Sequence, residues 1–150
     1  MCRKYSLILL LFALLTFPLA GSLLARPVGN GINTSFTLGP AVLPMPGIRF
    51  QYRLNNYLSV NSGLSYILAA GDFNTGIYFH LPLNSINPYL GIRKIFIFHL
   101  TGELDLNAGV VGFETENYFV EAGIGFGQEK TDFGNTQSEL AILQIGWFFD

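Results

Sequence analysis

The strongest constraint on this chain is an alternation of apolar and polar residues with a period of two, which recurs in segment after segment from about residue 30 onward. Ile48, Phe50, Tyr52 and Leu54 alternate with Arg49, Gln51 and Arg53. After the turn-like pair Asn55-Asn56, the residues Leu58, Val60, Leu64, Tyr66 and Leu68 oppose Ser59, Asn61, Gly63 and Ser65. Phe73, Thr75, Ile77, Phe79 and Leu81 then oppose Asn74, Gly76, Tyr78 and His80. The same period separates Leu104, Leu106, Ala108 and Val110 from Glu103, Asp105, Asn107 and Gly109, and Tyr118, Val120, Ala122, Ile124 and Phe126 from Glu121, Gly123 and Gly125. Side chains of an extended chain point alternately to opposite faces, so these are two-faced strands. No helical period follows the first 25 residues.

Which face meets water decides the fold class. A soluble sandwich hides its apolar faces and shows water a charged surface. Here only 12% of residues are charged and 50% are apolar, while the polar faces are mostly Gly, Ser, Asn and Gln. Large aliphatic and aromatic side chains on one face of nearly every strand suit an outward surface in hydrocarbon. Backbone polar groups in a bilayer have no water to pair with, so such a sheet must close on itself. The expectation is an all-β fold: a closed antiparallel up-and-down transmembrane β-barrel.

The start of the chain reads as an address. Arg3 and Lys4 precede an uncharged run to Ala25 whose densest part, Leu7 to Leu15, has the length of a signal-peptide core, shorter than a spanning helix. Residues 1–22 are therefore expected to be a signal peptide, cut after Ser22 or after Ala25, leaving 23–150 as one barrel domain. Cys2, the single cysteine, goes with the leader. The exported part then has no thiol for catalysis, redox work or metal binding. Its charge falls from -2 to -4 as Arg3 and Lys4 are removed, and no basic cluster is present to hold nucleic acid.

Tilted membrane strands take about 9 to 11 residues, so eight strands fit the exported length with room for connections, whereas ten would need tight turns almost everywhere. The segments expected as strands are 30–39, 47–54, 57–69, 73–82, 87–98, 103–113, 118–128 and 138–149. The outer connections would be Pro40 to Pro46, Ala70 to Asp72, His99 to Gly102 and Glu129 to Gln137. The inner ones would be Asn55-Asn56, Leu83 to Ile86 and Glu114 to Asn117.

The run Asn87-Pro88-Tyr89-Leu90-Gly91-Ile92 resembles a strand start common in small Gram-negative outer-membrane proteins of the OmpA/OmpX-like eight-stranded barrel class. The end of the chain is similar too. Ile145, Trp147 and Phe149 alternate with Gly146 and Phe148, like the C-terminal aromatic signal that barrel-assembly machinery reads, although Asp150 stands last where that signal ends on the aromatic. The resemblance implies a bacterial outer-membrane location, with membrane lipids and the assembly machinery as partners. It implies no particular activity.

By parity Arg49, Arg53 and Arg93 face the lumen with Glu103, Asp105 and Glu121, three cations and three anions in a barrel too narrow for bulk water. Such charges persist only when paired and hydrogen-bonded, so a lumen closed by this cluster with Tyr78, Tyr89, Gln51 and Gln144 is expected. Lys94 disturbs the scheme, because a continuous strand would turn either Arg93 or Lys94 toward lipid. A bulge, an early strand end or a snorkelling Lys94 would each resolve it.

His80 and His99 are the only imidazoles, and neither sits at metal-ligand spacing with carboxylates. No cofactor is expected. His99, Thr101 and Glu103 are faintly similar to the His/Ser/Glu set of lipid A deacylase barrels, but that family's His-x-Ser motif is absent. The leading expectation is a monomeric structural or accessory barrel that is not an enzyme. A lipid-modifying barrel using His99, and an exported soluble lipocalin-like barrel holding a small apolar ligand, are the alternatives.

Overall fold

The computed structural model describes residues 31–39, 44–83, 85–131 and 134–149. The expected leader, residues 1–22 with a cut after Ser22 or Ala25, lies outside the described residues. Eight strands follow in order: β1 (Ile32–Leu38), β2 (Pro46–Asn55), β3 (Leu58–Ile67), β4 (Ala70–His80), β5 (Asn87–His99), β6 (Gly102–Glu114), β7 (Tyr118–Thr131) and β8 (Gly134–Phe148). Each pairs antiparallel with the next, and β8 pairs with β1, closing the ring. The expected eight-stranded up-and-down barrel is the observed architecture.

Both ends of the described chain lie at one end of the barrel, here the terminal end, with connections 56–57, 81–86 and 115–117. The distal end carries 39–45, 68–69, 100–101 and 132–133. Two expected connections are largely strand. Residues 70–72 open β4, and 129–131 and 134–137 belong to β7 and β8. Within the expected connection Glu129 to Gln137, Gln137 pairs with Gln128 and Lys130 with Asn135 in a regular ladder.

Strand length grows round the ring, from 7 residues in β1 to 15 in β8. The register explains the slant. Register partners lead from Phe36 through Ile48, Leu64, Phe73, Phe96, Asp105 and Gln128 to Gln137. The β8 neighbour of Phe36 is instead Trp147, ten residues further along (137 to 147). A ten-residue stagger, about 33 Å of strand, against eight interstrand spacings totalling about 38 Å tilts the strands by about 40°. Every row of register partners therefore climbs toward the distal end on passing from β1 to β8.

Alternation places the side chains. On β2 and β3 the inward set is Arg49, Gln51 and Arg53 with Ser59, Asn61 and Ser65, all buried, while Ile48, Phe50, Tyr52, Leu54 and Leu64 stand exposed outside. β6 inverts this arrangement. Leu106, Ala108 and Val110 are buried inside, and with Ile95, Ile97 and Ile142 they build an apolar layer against which Leu104 and Leu140 pack. The expectation that Leu104, Leu106, Ala108 and Val110 face outward is thus corrected. The interior of an eight-stranded barrel is a packed core that aliphatic side chains can fill as well as polar ones. Gly125 on β7 leaves room for this layer, since a Cβ there would sit 3.3 Å from Leu106 and 3.5 Å from Ile142.

Candidate functional site

The interior holds a buried ionic network made from four strands, β2, β4, β5 and β7. Glu121, on β7, is fully buried and receives Arg49 Nη1 from β2 at 3.3 Å, Tyr89 Oη from β5 at 3.2 Å, and Arg93 Nη1 from β5. Arg93 donates twice more to Asn74 Oδ1 on β4, from Nε at 3.1 Å and Nη2 at 2.7 Å, and Asn74 Nδ2 donates to buried Asp72. The Arg49 guanidinium lies 4.8 Å above the Tyr78 ring and 4.2 Å above that of Phe119. Charge, hydrogen bonds and aromatic faces together replace the water that a guanidinium loses on burial.

A second knot lies nearer the terminal end. Arg53 pairs with Glu114, whose other oxygen accepts from Gln51 Nε2 at 3.1 Å. His80 sits between them, with Nδ1 3.2 Å from Glu114 Oε1 and Nε2 2.7 Å from Ser59 Oγ. Small residues make space for the large ones. Gly91 lies beside Tyr78, where an added Cβ would be 2.7 Å from Cδ1 of that ring.

Of the six charged residues expected inside, Arg49, Arg53, Arg93 and Glu121 come together there, while Glu103 and Asp105 do not. The parity of β6 turns both outward, opposite the face of Leu104 and Leu106. Their places are taken by Glu114 and Asp72, both expected in connections and both buried within strands. One signal was available for Glu114: it continues the two-residue series Leu106, Ala108, Val110 and Gly112. Gln51, Tyr78, Tyr89 and Gln144 are all buried inside.

Lys94 faces outward on an unbroken β5 while Arg93 faces inward. No bulge or early strand end is involved. Its ammonium pairs with Asp105 on the outer wall, the two side chains 46% and 35% exposed. Ile145 and Trp147 lie on the outer side of β8, with Trp147 stacked on Phe36 at 6.3 Å between centroids, and Phe149, just past the strand, is exposed. Phe149 N donates to Thr34 O at 2.9 Å, extending the closure one step beyond the strand.

At the distal end His99 Nδ1 is 3.0 Å from Thr101 Oγ1, and Nε2 is 3.8 Å from Glu129 Oε1. The set His99, Thr101 and Glu103 does not share a face, because Glu103 projects outward from β6. Among the described residues no group of three His, Cys, Asp or Glu side chains could hold a metal ion.

These features define a closed eight-stranded antiparallel barrel with an apolar outer wall and a buried charge network. No family model matches the sequence, and no curated protein does. Among solved structures, the N-terminal β-barrel domain of Pseudomonas aeruginosa OprF aligns with a TM-score of 0.52 at 14% identity, covering 80% of this chain and 98% of that one. Neisserial surface protein A aligns with a TM-score of 0.43 at 14% identity, covering 79% of this chain and 94% of that one. The similarity to the OprF domain is one of fold.

Proposed function

We propose that the protein is a small integral barrel of the bacterial outer membrane, with a lumen closed by its own side chains and a structural or accessory role rather than an enzymatic one. The observation that carries this reading is the outer wall. On one strand Ile48, Phe50, Tyr52 and Leu54 are 45% to 52% exposed while Arg49, Gln51 and Arg53, between them, are buried. A water-soluble barrel would present the opposite pattern, whereas a barrel in hydrocarbon requires this one. The similarity in fold to the outer-membrane barrel domain of OprF supports the same location.

Closure of the lumen rests on the two ionic knots and the apolar layer beyond them, which together line the interior from Arg53 to Ile97. We assign Ile145, Trp147 and Phe149 the role of assembly signal, since their outward row on the last strand is accessible to other proteins before the ring closes. The folded barrel acts as a monomer among membrane lipids.

Membrane fractionation with gel electrophoresis of heated and unheated samples tests the location. The expected result is recovery in the outer-membrane fraction and a mobility that changes on boiling. Recovery in the aqueous fraction without detergent would overturn it in favour of the lipocalin-like alternative. Planar-bilayer recording tests the closed lumen, and discrete unitary conductance would refute that part.

A further inference from the structure

The outer wall is interrupted by a row of polar residues in the middle of its apolar surface. Ser62, Thr75, Lys94 and Asn107 are consecutive register partners on β3, β4, β5 and β6, and all four face outward. Because rows climb toward the distal end, Ser62 lies lowest and Asn107 highest. Asp105, paired with Lys94, stands higher still on β6. The next row toward the terminal end is apolar: Val60, Ile77, Ile92 and Gly109, again register partners.

Thr75, Lys94 and Asn107 of the first row and all four residues of the second line an open groove of about 720 Å³ on the outside of the barrel. Gly109 is what keeps it open, for a Cβ built there meets nothing within 4 Å. The groove has the polarity gradient of a lipid lying along the wall, with hydrogen-bond donors on its distal side and a bare apolar floor on its terminal side. Lys94 has three ammonium donors, of which Asp105 uses one side only. A cation at this depth is costly in hydrocarbon and is drawn toward oxygen acceptors.

We propose that this groove is a binding site for one membrane lipid, its acyl chain on the floor of Val60, Ile77, Ile92 and Gly109 and its ester or phosphate oxygen accepting hydrogen bonds from Lys94 and Asn107. The site rests on the membrane location proposed above. It makes one side of the barrel a lipid-selective wall, while the rest of the circumference contacts bulk acyl chains.

The test is native mass spectrometry of the full barrel after reconstitution into vesicles of dipalmitoyl phosphatidylethanolamine and phosphatidylglycerol and transfer to mild detergent. The expected spectrum carries one retained lipid per chain. Gly109→Leu fills the groove where the structure has free space, so it should fold, with unchanged heat-dependent gel mobility, yet lower lipid retention at least about ten-fold, the equivalent of about 1.4 kcal/mol. Lys94→Met should act in the same direction, and Glu103→Gln, on the outer face of β6 but beyond the groove, should leave retention unchanged. Equal retention in Gly109→Leu, insertion of the wild type without a bound lipid, or a spectrum dominated by a two-chain species would overturn the site. Failure of the wild type to enter the vesicles would instead overturn the membrane location and the site with it.

Discussion

Replacing Glu121 with alanine isolates the contribution of the central ionic knot. The carboxylate is fully buried and serves Arg49, Arg93 and Tyr89 at once. Removing it leaves two buried guanidiniums without their shared counterion. Arg93 keeps Asn74, and Arg49 keeps the rings of Tyr78 and Phe119, so neither charge is wholly abandoned. Breaking a buried ion pair by deleting one partner costs about 3 to 5 kcal/mol, and the retained contacts place the expected loss at about 4 kcal/mol. With a denaturant slope of about 2 kcal/mol per M in urea, the unfolding midpoint in lipid vesicles should fall by about 2 M. Trp147 fluorescence and loss of the unheated gel species both report the transition. Glu121→Gln, which keeps an acceptor and the side-chain volume, should fall by less. A midpoint shift under about 0.3 M for Glu121→Ala would refute the claim that this knot holds the interior together.

Glu114→Ala should destabilise by a comparable 3 to 5 kcal/mol (about that range) because Arg53 and Gln51 lose their acceptor, whereas Glu103→Ala, outward on β6, should stay within about 0.5 kcal/mol; the same urea titration separates them. Gly91→Ala pushes a methyl into the Tyr78 ring 2.7 Å away and the carbonyl of Ile77 at 2.9 Å, and should cost about 1 to 3 kcal/mol, visible as a lowered midpoint with an unchanged slope. Leu68, in the tight 68–69 turn, has φ of 51°, a left-handed conformation that costs a branched side chain about 1 to 2 kcal/mol. Leu68→Gly should therefore raise the unfolding midpoint, and a lowered one would show that the leucine side chain contributes more than its backbone costs.

Strand number, antiparallel order and closure were legible because alternation survives in most segments and the chain length admits few other counts. The inside position of Arg49 and Arg53 was legible for the same reason, since β2 has one purely aromatic and aliphatic face. On β6 the period was just as clear, but a period carries no sign. Leu106 and Val110 could line either surface, because this barrel's interior is partly an apolar core and its distal outer wall is partly polar. Assigning that sign wrongly sent Glu103 and Asp105 inward and hid the pairing of Asp105 with Lys94. Glu114 and Asp72 escaped for a different reason. Polar residues near Gly or Asn read as turn formers, and only the backbone ladder, pairing Glu114 with Asn87 and Asp72 with Ile97, shows them inside strands.

The ring is sealed by its shortest strand. Among the described residues β1 meets β8 over the four partner pairs from Ser35–Phe148 to Leu38–Ile145, while β7 and β8 run together for the full span from Tyr118–Trp147 to Thr131–Gly134. Few rungs mean little to gain until the other seven joints are made, so the seam is the natural last step of zipping and the first place to part. Amides of Ser35 to Leu38 and Ile145 to Phe148 should trade hydrogen for deuterium ahead of the β5–β8 wall, which gives the cylinder a built-in door along one side.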